Sequence, residues 1–89
     1  MEEGLKGNHL LSLDDRQRLV ATGILDVDRF DEKAVVLITN RGVLTIEGTE
    51  LHINRLSVEK GEVAIEGQVD RLGYAELKEK GSIFKGLFR

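Results

Sequence analysis

Through the middle of the chain, apolar and polar side chains alternate with a period of two. This rhythm limits what the segment can become. Leu44 and Ile46 alternate with Thr45 and Glu47, and Leu51 and Ile53 alternate with His52 and Asn54. Leu56 and Val58 alternate with Ser57 and Glu59, and Val63 and Ile65 with Ala64 and Glu66. In an extended strand, successive side chains leave opposite faces, so each run has one face for a core and one for water. The apolar members are mostly β-branched or leucine, which suits a pleated, half-buried surface. A helical period fits these runs poorly.

Turn signals separate the runs. Asn40-Arg41-Gly42 divides Val35–Thr39 from Val43–Glu47, Gly48-Thr49 divides that run from Glu50–Asn54, and Lys60-Gly61-Glu62 divides Leu56–Glu59 from Val63–Glu66. Links this short join antiparallel neighbours. Towards the N-terminus, Asp14-Asp15-Arg16-Gln17 reads as a polar turn between Leu10–Leu13 and Leu19-Val20. Ile24–Phe30 reads as a strand with Leu25 and Val27 inward, turned by Asp31-Glu32-Lys33. The fold expected is all-β: an antiparallel meander of seven or eight short strands, curled into a small sandwich or open barrel, with a short amphipathic C-terminal appendage. The expected core is Leu11, Leu13, Leu25, Val27, Val35, Leu37, Leu44, Ile46, Leu51, Ile53, Leu56, Val58, Val63, Ile65, Val69 and Leu72.

A pattern of glycine, any, apolar, any, β-branched, acidic recurs every 19 residues, at Gly23–Asp28, Gly42–Glu47 and Gly61–Glu66. Hairpins of similar length produce such a phase. A β-solenoid with turns of 19 residues would produce it too. The spacing alone leaves both open.

With 89 residues the chain makes one domain with a thin core. Small domains commonly add a disulfide, a metal or a partner. The chain has no cysteine, and His9 and His52 are not spaced as ligands, so no cofactor and no metal site is expected. Association remains as the extra source of stability. The absent cysteines fit a reducing compartment. The N-terminal Met1–Gly7 has no apolar core of a signal peptide, and no apolar run reaches the length of a membrane span.

Charge is unevenly spread. Lys78, Lys80, Lys85 and Arg89 against Glu79 give residues 78–89 a charge of +3, which leaves −6 for the first 77 residues of a chain with net charge −3. An acidic body argues against nucleic acid as a partner. The division expected is a β domain over 1–77 and a basic amphipathic tail over 78–89. Within the tail, Ile83, Phe84, Leu87 and Phe88 form one helical stripe bordered by Lys85 and Arg89. Three readings stand: a docking segment for a membrane surface or a partner groove, a cap on the domain's own core, or simple disorder.

No catalytic constellation is visible. His52 lies on the polar side of its strand with no second catalytic group assignable beside it. Asp14-Asp15 and Asp26-Val27-Asp28 lack the loop that surrounds calcium with oxygens. Phosphate-cradling loops and nucleophile elbows are absent.

The stretch Leu44 to Gly67 resembles the sporulation protein YabP family. Three pieces carry the resemblance: Ile46-Glu47-Gly48; Leu51-His52 with Leu56; and Glu59-Lys60-Gly61 followed by Ile65-Glu66-Gly67. Tyr74, the early His9–Leu13 after a glycine and the basic, phenylalanine-bearing tail extend it over nearly the whole chain. The relatives named YqfC are a poorer match. The resemblance implies a role in endospore formation, in the mother cell around the developing forespore, with a requirement in making the spore cortex. It implies no enzymatic activity and brings no catalytic residues. The sporulation membrane protein YabQ is the functional neighbour it suggests. The expected function is a non-enzymatic sporulation factor acting by self-association, as a homo-oligomer, or by docking to a protein partner or membrane periphery. The rival is a carbohydrate- or peptidoglycan-binding module, disfavoured by the absence of tryptophan and the single tyrosine.

Overall fold

In a computed structural model of the chain, residues 8–76 are described. They form six strands: β1 (Leu11–Asp14), β2 (Arg18–Thr22), β3 (Ile24–Phe30), β4 (Ala34–Thr39), β5 (Gly42–Ser57) and β6 (Glu62–Ala75). All pairs are antiparallel, and the sheet order is β1-β2-β6-β5-β4-β3. No helix occurs among the described residues, and the sheet does not close into a barrel. The boundary expected after residue 77 and the tail beyond it lie outside the described residues.

The expected seven or eight short strands are six, two of them long. Gly48-Thr49 is not a link. β5 runs through it for 16 residues and pairs with the 14 residues of β6. The arrangement is not a simple meander either, because β2 pairs with β6 and not with β3. A solenoid is also ruled out: the three glycine-led repeats open β3, β5 and β6, but every hydrogen-bonded pair of strands is antiparallel, so no repeat stacks in parallel on the next.

A straight strand of 16 residues would span about 50 Å. The longest dimension of the molecule is 36 Å, so β5 has to bend. The bend falls where Gly48–Leu51 crosses Gly67-Gln68. There the β5–β6 register shifts twice, and Glu50 takes a left-handed φ of 54°. The bend brings both ends of β5 near one point. The Gly23 carbonyl accepts from the N–H of Asn40, at the start of β5, and the Gly61 carbonyl, beyond its end, accepts from Ile24. The sheet is therefore folded back across its own apolar face. This is how residues on one side of a sheet become fully covered without a helix.

One cluster fills the fold. It joins Leu19 and Ala21 of β2, Ile24 of β3, Val35 and Leu37 of β4, Leu44, Ile46 and Leu51 of β5, and Val63, Ile65 and Val69 of β6. Leu11, Val27 and Ile53 pack at its margin. Five residues expected in the core are exposed instead: Leu13, Leu25, Leu56, Val58 and Leu72. For Leu25 the cause is a register shift between Ile24 and Asp26, which turns Ile24 inward and leaves Leu25 39% exposed. Val58 lies in the β5–β6 turn, and Leu13, Leu56 and Leu72 lie on strand segments with an open flank.

Two hairpin turns fasten the two bends. The β1–β2 turn gives the carbonyls of Gln17 and Arg16 to the N–H groups of Gly67 and Val69. The β3–β4 turn gives the carbonyls of Lys33 and Glu32 to the N–H groups of Gly48 and Leu51. Asp31 shapes the second turn by accepting from the N–H groups of Lys33 at 2.8 Å and Ala34 at 2.9 Å. These bonds, Lys33 first, hold the Asp31 carboxyl below its ordinary range, with help from Arg29. A lowered folded-state pKa adds stability above the ordinary carboxylate range, and that stability is lost as the pH falls through the lowered value. Asp31→Ala should therefore lower the melting temperature by a few degrees at pH 7. The difference from wild type should shrink below about pH 4, in thermal melts followed by circular dichroism.

Candidate functional site

Strand register decides which of the motif residues meet. His52 and Glu66 are direct partners in the β5–β6 ladder, and the imidazole Nε2 lies 3.6 Å from the carboxylate. Both point outward. Leu51 points the other way and is 1% exposed. Gly67 lies across from the bend, where a side chain would meet the Glu50 carbonyl oxygen at 2.5 Å and the Leu51 Cα at 2.8 Å. Leu51, His52, Glu66 and Gly67 are thus gathered at the bend. Leu56, Glu59, Lys60 and Gly61 are not. They lie towards the far end of the hairpin, where the Lys60 N–H donates to the Ser57 hydroxyl and the Gly61 N–H to the Val58 carbonyl.

The bend carries an open, shallow groove of about 500 Å³ with a mostly polar lining. Glu50, His52 and Glu66 come from the central strands, and Gln17 and Arg18 come from the β1–β2 hairpin. A second depression, between Glu32 and Leu51, shares Glu50 and His52 with it. The two depressions are lined by three carboxylates, Glu32, Glu50 and Glu66, while Arg18 lies 3.3 Å from Asp14. Among the described residues, no group of three or more histidine or acidic side chains is placed to hold a metal ion. The surface is exposed and polar, and backbone bonds from the β1–β2 and β3–β4 turns hold it from beneath.

His9 was unassigned in the sequence reading, yet it ties distant parts of the sheet together. Its Nδ1 donates to the Thr22 carbonyl at 2.7 Å, which leaves Nε2 to accept the Tyr74 hydroxyl at 2.7 Å. The two rings meet edge to face, with centroids 5.6 Å apart. The Thr22 hydroxyl donates to the Asn8 carbonyl and accepts from the Leu10 N–H. These bonds fix the segment before β1 against the end of β6. No local signal could reveal them, because His9 and Tyr74 are joined only by the fold.

Large apolar side chains are exposed along the flanks of the sheet: Leu10, Leu13, Leu25, Phe30, Leu56, Leu72 and Tyr74. The expected docking residues Ile83, Phe84, Lys85, Leu87, Phe88 and Arg89 lie outside the described residues. No helix among the described residues is long and apolar enough to cross a membrane.

Fold and surface together define a small, open, folded-over antiparallel β-sheet domain. Residues 6–81 match the model of the YabP family. The chain is also 35% identical over 80 residues to the "Spore protein YabP" of Bacillus subtilis (strain 168), which covers 90% of this chain and 79% of that protein. The chain belongs to the YabP family, and that membership implies a role in sporulation.

Proposed function

We propose that this protein is a non-enzymatic factor of endospore formation that assembles at the forespore surface, from the mother-cell side, and is needed for the spore cortex. It acts by binding: to further copies of itself, to a protein partner such as the sporulation membrane protein YabQ, or to the membrane periphery. Family membership supports the sporulation setting. The observation that carries the binding mode is the open sheet, whose unpaired strand flanks bear exposed Leu72 and Tyr74. An unpaired strand presents a row of backbone donors and acceptors that another chain can use. The carbohydrate-binding alternative has less support, because the single tyrosine has its hydroxyl engaged by His9.

Recruitment is assigned to Ile83, Phe84, Leu87 and Phe88, flanked by Lys85 and Arg89. The test is a fluorescent fusion imaged in sporulating cells, full length beside a chain ended at Lys80. The full-length fusion should outline the forespore and the shortened one should spread through the mother cell. A shortened fusion that still outlines the forespore would remove the tail from the mechanism.

A further inference from the structure

We infer that the C-terminal half of β6 is the surface by which two copies of this chain associate, edge to edge and antiparallel about Gly73. This rests on the self-association proposed above and names the strand responsible. Among the described residues the sheet has four flanks open to a new strand, and three are defended against pairing. β3 is broken by two register shifts and carries exposed Asp26, Asp28 and Arg29. β1 is four residues long and ends at Asp14. The end of β5 is interrupted by a shift between Ile53 and Arg55. Bulges, charges and shortness are the ordinary means of blocking edge pairing.

Residues Arg71–Ala75 have no bulge, and their one charged side chain, Arg71, is paired with Glu47 of its own chain. They run in unbroken register with Glu47–Val43, and β2 has left β6 well before them, since its pairing covers only Glu62–Glu66. Among the described residues, no strand lies on their other side, although His9, from the segment before β1, holds the Tyr74 hydroxyl at 2.7 Å. Leu72 is 37% exposed and Tyr74 51%, while a side chain at Gly73 would meet nothing within 4 Å.

The regular segment is five residues centred on Gly73, and it is self-complementary. In an antiparallel pair about that centre, Leu72 of each chain stands opposite Tyr74 of the second copy, an aliphatic–aromatic pair of the stabilising kind. Arg71, which lies 3.8 Å from Glu47 of its own chain, stands across from Ala75 of the second copy. Asp70 would lie across from Glu76, but Arg16 at 3.0 Å already neutralises it.

The cysteine-free chain allows a direct test. Opposed residues of an antiparallel pair have Cα atoms roughly 4.5–5.5 Å apart, within disulfide range. Light scattering across a concentration series should show a wild-type dimer. Under oxidised glutathione, Gly73→Cys should form a disulfide-linked dimer at least ten times faster than Asp28→Cys on the bulged β3 flank. Leu72→Lys, checked for folding by circular dichroism, should weaken self-association at least tenfold. A wild-type dimer in which position 73 links no faster than position 28 would overturn the assignment to β6 and leave self-association standing. A wild-type chain that stays monomeric at every concentration would overturn both.

Discussion

Gly48→Ala is expected to lower the stability of the folded domain by at least ~3 kcal/mol, a large share of what a domain this small possesses. The reason is distance. A methyl group at position 48 would lie 1.8 Å from the Gln68 carbonyl oxygen and 2.9 Å from its carbon. Both obstacles are backbone, so no rotamer change relieves them. The neighbouring N–H of Gly48 is held by Lys33 and that of Leu51 by Glu32, so the bend cannot slide away without losing those bonds. Gly73→Ala is the matched control, because its methyl group enters open space, and it should change stability by no more than ~0.5 kcal/mol. Urea denaturation of both variants checks this. Equal midpoints would mean that β5 and β6 do not approach this closely at the bend.

The second large effect separates the two phases of the N-terminal strands. Leu19 is fully buried and pairs with Ile65, itself fully buried. Leu19→Ala should cost ~3 kcal/mol through lost burial and the cavity left behind. Leu25→Ala removes the same atoms from a side chain that is 39% exposed, and should cost under ~1 kcal/mol. For a domain of this size the first change should lower the melting temperature by more than ~10 °C and the second by only a few degrees. The reverse ranking would restore the inward phase for Leu25 that simple alternation suggests.

These two predictions mark where the sequence was legible and where it was not. Alternation within the separate runs of β5 and β6 identified Leu44 and Ile46, then Leu51, then Val63 and Ile65 as core, because each run keeps its phase between the shifts. The turns at Asp14–Gln17, Asp31–Lys33, Asn40-Arg41 and Lys60-Gly61 were readable from their residue types. Gly48-Thr49 was misread for the same reason: a glycine that allows two backbones to touch carries the same letter as a glycine that turns a chain. Leu19 and Ala21 were passed over because Leu19-Val20 shows no alternation and alanine is a weak signal. In β3, one inserted residue exchanged Ile24 for Leu25, which a pattern of period two cannot foresee. The polar side of the candidate surface was legible strand by strand, with His52 and Glu66 both facing water. Their adjacency, the contribution of Gln17 and Arg18, and the His9–Tyr74 bond arise from pairings between distant segments.

The pairing of β2 with β6 has a consequence for how the protein is made. Leu19 leaves the ribosome early, yet its partner Ile65 comes from β6, the last of the described strands to be synthesised. The first hairpin can form its own turn but has nothing apolar to lie on until that strand arrives. Closing such a long loop is slow, because the entropy of the intervening chain is lost before any contact rewards it. Nascent chains of this protein therefore carry an uncovered leucine face through most of translation. Consolidation waits for the final strand and then engages the whole domain in one step.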